Sequence, residues 1–537
     1  MQRMQHRLDA SRIPTARLTI VVAALLFVIL PGSTLDGQSG GAMRRLTRAA
    51  LEDKIRGGWA GQMIGVSFGA PTEFQSNGKL IEGALPWTPD RVSEALHQDD
   101  LYVDMTFAAV MDKVGLGATI DDYAEAFRTS QYSLWHANAA ARRLLNQGVK
   151  APLSGDPRNN IHANDIDFQI ESDFIGLMTP GLPQESNRYC SLVGRIMNHG
   201  DGLYGGMFFG GMYSAAFFER DVAKVVEAGL ATIPAGSGYA RIITDAIALW
   251  RKYPSDWRTA WTELEAKWDR DDSCTDGASR PFNIDARLNG AYVALGLLYG
   301  GGDFARTLDV TTRFGQDSDC NPSSAAGIVG VMHGYAAIPA VYTSGIPGLG
   351  DAKFDYTDYS FNAIARSTLD RALKVIVKAG GRVDGEVIEI PVQVAVPAAL
   401  EQWDMGVPAA RLDASNKAWA FSGQWTTSPA WDGVGVAERK TSTARGNVAT
   451  FTFEGTAVAL VGRMGQDGGR ADVFLDGNRA GTIDAYIPPR TFDNDLWHRD
   501  GLSAGSHTVR VVTREDASPQ STGTRITFEV GIVYRAR

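Results

Sequence analysis

The chain has 537 residues, 44% of them apolar, with 52 Lys and Arg set against 61 Asp and Glu for a formal net charge of −9 at pH 7. Such a length exceeds what one hydrophobic core serves, so at least two domains are expected. The acidic balance and the lack of any long basic run argue against nucleic acid as a partner, because phosphate neutralisation needs clustered Lys and Arg.

In chain order, the first element is an export segment, assigned to residues 1–42. Arg3, Arg7, Arg12 and Arg17 precede an apolar run from Leu18 to Leu30, then Pro31-Gly32-Ser33-Thr34 and a polar stretch to Gly41. This reads as a signal peptide or a short N-terminal anchor, since the run is shorter than the ~18–20 residues that span a bilayer. The protein is therefore expected to be secreted or periplasmic, touching a membrane only through this segment if it stays uncleaved. Three scattered cysteines, Cys190, Cys274 and Cys320, form neither a disulfide framework nor the closely spaced pairs of a zinc site, and are read as buried thiols.

Residues 43–380 read as an all-α domain, with apolar residues recurring at three- and four-residue steps. In the first helix, Asp53 to Gly69, the glycines at 57, 61, 65 and 69 share one face and allow another backbone to approach closely. Helical patterning returns at Asp100–Val114, Gly205–Glu219, Tyr239–Tyr253, Asn289–Tyr299 and Pro322–Tyr335. Residues 381–402, rich in Val, Ile and Pro, read as an extended linker. Residues 403–537 switch to period-two alternation, with strands expected at Val448–Phe453, Ala457–Gly462, Ala471–Leu475, Arg479–Asp484, His507–Thr513 and Ile526–Tyr534. Asp476-Gly477 is a hairpin turn signal, and an all-β jelly-roll sandwich is the expected result.

Two acidic clusters dominate the helical half: His97-Gln98-Asp99-Asp100-Leu101 and Gly315-Gln316-Asp317-Ser318-Asp319-Cys320-Asn321. Each precedes a helix patterned for burial, so the carboxylates point inward. Gathered there they repel one another and resist desolvation, and a cation offsets that cost. Oxygen ligands suit Mg²⁺ or Ca²⁺, then Mn²⁺. Asn321 is expected to cap a helix beginning at Pro322, with Asp317 and Asp319 just before its positive end. The competing reading, two N-caps on unrelated helices, accounts for one acid per helix end but not for the doubling at both. Cys320 reads as a small buried residue rather than a nucleophile. Between the clusters lie Ile161–Asp173, Asn198–Gly202 and Phe282–Asp285. These are open to two readings: helix caps and surface charge, or a substrate cleft lined by Asp167, Glu171, Asn198 and His199.

The order and spacing of these motifs resemble the ADP-ribosylglycohydrolase family over roughly residues 50–340. The matching parts are the glycine-rich helix Asp53-Lys54-Ile55-Arg56-Gly57-Gly58 through Gly69-Ala70-Pro71-Thr72-Glu73, the pair Asp99-Asp100, and Asp317-Ser318-Asp319. The resemblance implies an all-α fold and a two-Mg²⁺ centre held by Asp99, Asp100, Asp317 and Asp319, with Mn²⁺ or Ca²⁺ as alternatives. It also implies hydrolysis at C1 of an ADP-ribose-type ribofuranose, with Glu73, Asp100 and Asp317 as catalytic residues and Asn321 beside the substrate. Gln98, Leu101 and Cys320 stand where the family carries threonine, and Gly65-Val66 where it carries Gly-Asp, which marks a divergent bacterial branch. Export and the lost hydroxyls extend the expected substrates to other furanosides, in a polysaccharide or nucleoside derivative.

The tail holds Trp403, Trp419, Trp425, Trp431 and Trp497, most of them expected to fill a sandwich core. Its Asp472–Gly477 and Leu502–Val509 segments resemble galactose-binding-like modules of secreted glycosidases, which implies a possible glycan partner. A different class, a catalytically silent glycan-binding protein that keeps the fold, is the alternative to a hydrolase.

Overall fold

The computed structural model describes residues 42–269, 272–431 and 436–537. The expected export segment lies outside the described residues apart from Ala42. Among the described residues no helix is long and apolar enough to cross a membrane.

The helical half is built around the Arg48–Gly69 helix, which Thr47 caps by accepting a 3.0 Å hydrogen bond from Ala50 N. From Gly57 to its end this helix is buried on every side, and so are most residues of the Gly200–Ala216, Ala286–Gly300 and Cys320–His333 helices. Helices apolar all round belong in the middle of a fold. Amphipathic helices such as Gly238–Lys252, with Arg241, Arg251 and Lys252 exposed, and Phe304–Arg313, with Arg306 exposed, lie outside them.

The glycine face meets the backbone of the Cys320–His333 helix and the turn before it. A Cβ added at Gly57, Gly61, Gly65 or Gly69 would lie 2.2, 2.2, 2.3 or 2.0 Å from the carbonyl oxygens of Gly330, Ala326, Pro322 and Ser318. The stripe therefore sets the distance between the first helix and the segment bearing Asp317 and Asp319. Gly61→Val is expected to cost about 3 kcal/mol in urea unfolding, the upper range for overpacking a tight core. A loss below about 1 kcal/mol would show that the two backbones do not approach this closely.

The segment expected to be a linker is partly ordered into sheet. Arg382–Asp384 and Val387–Pro391 form a hairpin, and the second strand pairs antiparallel with Met43–Thr47 in the register Met43↔Pro391 to Thr47↔Val387. Arg45 and Arg382 both bind Glu389 across it. The following stretch has no regular structure but is tied to the helices, since Tyr204 Oη donates to Ala399 O at 2.7 Å and Arg195 pairs with Glu401.

The tail is an all-β region of antiparallel sheets. Five strands run in the order Asn478–Asp484, Gly469–Leu475, Gly505–Ala517, Val448–Gly455, Trp419–Ser422, and four in the order Asp495–Arg499, Ala457–Val461, Val530–Arg535, Val407–Asp413. A smaller sheet holds Ile526–Phe528, Val436–Ser442 and Thr426–Trp431. Residues of the two larger sheets share one core, including Phe451, Val473, Val458 and Leu460. Asp476 and Gly477 take φ of 50° and 83°, the left-handed pair that a tight hairpin needs. The expected strand Ile526–Tyr534 is two strands, because at Glu529 the chain moves between sheets: Glu529 N donates to Val461 O, and Glu529 O accepts from Ala414 N. Trp419 is core, against Phe451 and Phe528. Trp403 is half-buried, with its indole N–H on Asp500.

The four-stranded sheet has no solvent face along its middle strands. Val458 and Leu460 enter the sandwich core, while Ala457, Ala459, Val461, Ile532 and Tyr534 pack with Ile161 and Ala278 of the helical half. Burial on both faces explains why Ala457–Val461 carries no polar alternation.

Candidate active site

A cavity of about 830 Å³ brings the two acidic clusters together, with Glu73, Asp99, Asp317 and Cys320 among its lining residues. Asp99 and Asp100 open the Asp99–Val114 helix, and Asp319 is the residue before the Cys320–His333 helix. The turn that delivers Asp317 is left-handed at both Gly315 (φ 77°) and Gln316 (φ 53°). Gln316 is locked there: its Oε1 accepts from Asn283 N and its Nε2 donates to Pro281 O, both at 2.9 Å, while its carbonyl accepts from Phe74 N at 3.0 Å. A non-glycine residue in that conformation is strained and persists where neighbours over-determine it, as at a functional site. The same contacts fix Glu73, next to Phe74, relative to the second aspartate pair.

The aspartates do not act as simple caps. Neither Gln98 nor Asp319 makes a side-chain cap to the helix that follows it. Both carboxylate oxygens of Asp100, and one each of Asp317 and Asp319, are buried without a hydrogen-bond partner among the described residues. Burial, then repulsion from Asp99, pushes the Asp100 carboxyl up to about 8. Asp319 is raised to about 7 by burial and the charge of Asp100, and Asp317 well above its usual range by burial and the charge of Asp319. Glu73 is raised as well, by enclosure and by the charges of Asp319 and Asp99; since the residue as a whole is exposed, the repulsion is the cause that stands. Orphaned, mutually repelling carboxylate oxygens are what a divalent cation satisfies. Ligand atoms of Asp317, Asp319 and Cys320 lie within 4.8 Å of one another. Leu101 offers no donor, and Cys320 offers a soft sulfur.

Two further buried carboxylates stand behind this set and were not among the expected site residues. Asp104, one turn along from Asp100, accepts from Phe174 N at 3.1 Å, and Asp173 accepts from Ser324 Oγ at 3.1 Å. Each keeps one oxygen unpartnered, and burial pushes Asp173 up to about 8. The available signal for Asp104 was an aspartate inside an otherwise apolar helical run.

Of the expected cleft residues, Asp167 satisfies both readings. It lines the cavity and also caps the His136–Asn146 helix, accepting from Ala137 N and Asn138 N at 3.2 and 3.0 Å. Glu171 does not reach the cavity; it is buried behind Asp167 and accepts from Asn138 Nδ2. Asn198 is a structural tie rather than a cleft residue: its Oδ1 accepts from Phe168 N, and its Nδ2 donates to Ala163 O and Asp165 O. His199 turns away to Glu401, 3.3 Å from its Nδ1. Asn321 is not the cap of a helix starting at Pro322, because the helix begins at Cys320; its Nδ2 donates to Asn289 Oδ1 at 2.9 Å, outside the cavity lining.

The ADP-ribosylglycohydrolase profile matches residues 47–374, more than half of the chain and all of both acidic clusters. The chain belongs to the ADP-ribosylglycohydrolase family. This is a family of hydrolases, and the helical half with its paired aspartates is the part that carries the membership. Two curated proteins of Flavonifractor plautii are also similar to parts of the chain. One is an A type blood N-acetyl-alpha-D-galactosamine deacetylase, 34% identical over 140 residues, which are 26% of this chain and 17% of that protein. The other is an A type blood alpha-D-galactosamine galactosaminidase, 42% identical over 67 residues, 12% of this chain and 6% of that protein. The chain thus spans less than a fifth of the length of either. Among solved structures, an ADP-ribosylglycohydrolase-related protein complex is similar over 60% of this chain and 98% of its own, with a TM-score of 0.36 and 14% identity.

Proposed function

We propose that this ADP-ribosylglycohydrolase family member is an exported, Mg²⁺-dependent glycoside hydrolase that cleaves the anomeric bond of an ADP-ribose-type or other furanoside with an activated water. The observation that carries the reading is the set of orphaned carboxylate oxygens of Asp100, Asp317 and Asp319 beside an 830 Å³ cavity. Asp99, Asp100, Asp317 and Asp319 would hold the cations, which supply Lewis acidity and a water of lowered pKa when bound. Glu73, exposed at the cavity and crowded by Asp319 and Asp99, is placed to take or return the proton of that water. The carboxylates also stabilise positive charge that develops on the furanose ring as the glycosidic bond breaks. Tyr102 and Phe282 supply apolar wall for a sugar or base. The β region is taken as a glycan-binding module, on the resemblance of its Asp472–Gly477 and Leu502–Val509 segments to such modules. Export rests on the Arg-flanked apolar run of residues 1–42.

The purified protein is expected to release a furanose from ADP-ribosyl conjugates or aryl furanosides in Mg²⁺ and to stop when a chelator is added. Turnover indifferent to chelator would overturn the metal-dependent reading. Mg²⁺ binding without turnover on any furanoside would favour a silent glycan-binding protein instead.

A further inference from the structure

A second group of ligating side chains lies in the wall of the same cavity, built from three chain segments far apart in sequence. His136 opens the His136–Asn146 helix, His162 sits in the loop before Asp167, and Cys274 and Asp276 come from the loop that precedes the Ala286–Gly300 helix. One ligand atom from each of these four residues lies within 4.8 Å of every other. His162 Nδ1 is 3.2 Å from Cys274 Sγ and 2.9 Å from Asp165 Oδ2. His136 Nδ1 is 3.3 Å from Asp276 Oδ2 and 3.9 Å from Asp165 Oδ2, without hydrogen-bond geometry to any partner among the described residues.

We infer that His136, His162, Cys274 and Asp276 form a metal site distinct from the carboxylate centre, and that it takes Zn²⁺. Two imidazoles, a thiol and a carboxylate are a borderline-soft donor set that Mg²⁺ and Ca²⁺ do not select and zinc does. Tetrahedral zinc places its donors about 3.3–3.8 Å apart, so no pair of the four atoms need close by more than about 1.5 Å. Asp165, within reach of both imidazoles, adds negative charge or a fifth oxygen.

Three independent features hold the ligands in place. His136 has φ of 46°, a left-handed conformation that a residue with a Cβ rarely adopts and that aims its ring into the group. Asp276 is oriented from outside: Asn494 Nδ2, on the β region, donates to its Oδ1 at 2.9 Å and leaves Oδ2 facing His136. The loop itself is gripped by the same region, through Tyr534 Oη to Ser273 O at 2.9 Å and Arg411 Nη1 to Thr275 O at 2.8 Å. His162 and Cys274 are 2% exposed, whereas His136 and Asp276 line the cavity. An ion held here is closed on the protein side and open to the cavity occupant. Nothing in this site depends on the carboxylate centre being a glycosidase.

The test is metal content and spectroscopy on the purified protein, stripped with chelator, reloaded with Zn²⁺ or Co²⁺ and dialysed. Wild type is expected to retain one zinc by inductively coupled plasma mass spectrometry, and to show a thiolate-to-cobalt charge-transfer band with Co²⁺. Cys274→Ser should lose the band and weaken zinc binding on the order of 100-fold in chelator competition. His136→Gln, at a half-buried helix start, should weaken zinc equally while keeping its circular dichroism, which covers the case in which Cys274→Ser does not fold. Asp317→Asn should keep both zinc and the cobalt band. No retained zinc in wild type, or full retention in His136→Gln, would overturn the site.

Discussion

Asp317→Asn is expected to cut turnover steeply while raising the melting temperature of the metal-free protein at pH 8. Asp317 is 2% exposed, one of its oxygens has no partner, and its carboxyl is driven well above its usual range by burial and by Asp319. Asparagine keeps the shape and removes the ability to ionise, so repulsion with Asp319, Glu73 and Asp100 cannot build up in the empty site as pH rises. Relief of an uncompensated buried charge is worth on the order of 1 kcal/mol or more. In catalysis the same change removes a cation ligand and a group that orients water, so kcat should fall on the order of 10²–10⁴-fold. Opposite signs for stability and activity are the signature of a residue retained for chemistry. Thermal unfolding with chelator and a furanoside assay with Mg²⁺ check both halves. A variant that is both less stable and still active would remove Asp317 from the site.

The second large effect is a pH dependence of stability that metal reverses. Asp100, Asp173 and Asp319 have carboxyls raised to about 8, 8 and 7 in the folded chain, against about 3.8 for an ordinary aspartate. Between those values the folded state holds more protons than the unfolded state, so stability is greatest below about pH 4 as far as these groups are concerned. It is lost as pH rises through about 8. Metal-free protein should lose at least about 2 kcal/mol across that window, a tenfold change in proton affinity being worth ~1.4 kcal/mol. Mg²⁺ binds the deprotonated ligands, so the stabilisation it confers should grow from pH 5 to pH 8. Urea unfolding over that range, with Mg²⁺ or with chelator, gives the two curves. Stability that rises with pH in chelator, or a Mg²⁺ increment that does not change, would mean that these carboxylates are not a crowded metal-free centre.

Local features predicted their own neighbourhoods well. The spacing of Gly57, Gly61, Gly65 and Gly69 identified a face that a backbone must approach, and that face is filled by carbonyls from Ser318 to Gly330. Doubled aspartates ahead of apolar helices marked carboxylates of which Asp99 and Asp317 line the cavity while Asp100 and Asp319 are buried. Asp476-Gly477 identified its hairpin because a left-handed pair can be read from two residues. Short and polar strands were harder. Trp419–Ser422 alternates in burial but is only four residues long, and Asp495–Arg499 buries its first two residues side by side and so lacks a two-residue period.

Polar turn residues were the least legible. Asn198 and His199 carry the same chemistry as a binding residue, yet Asn198 ties its amide to three backbone groups and His199 faces Glu401. Asp104 and Asp173 show the reverse: Asp104 looks like an isolated charge in an apolar helical run and Asp173 like the last acid of a capping stretch, and they become part of one buried carboxylate group only when their segments meet.

By itself, then, the amino-acid order determined which helices are buried, where the backbone must come close, and which carboxylates face inward, because each of these depends on residues within a few turns of one another. The tertiary structure alone decided which polar groups share a cavity. His136, His162, Cys274 and Asp276 span 141 positions, counted from 136 to 276, and are brought within 4.8 Å by the packing of a helix start, a loop and a β region that holds that loop. No local period or spacing encodes such a meeting, since it is fixed by the sum of many packing contacts rather than by any one of them.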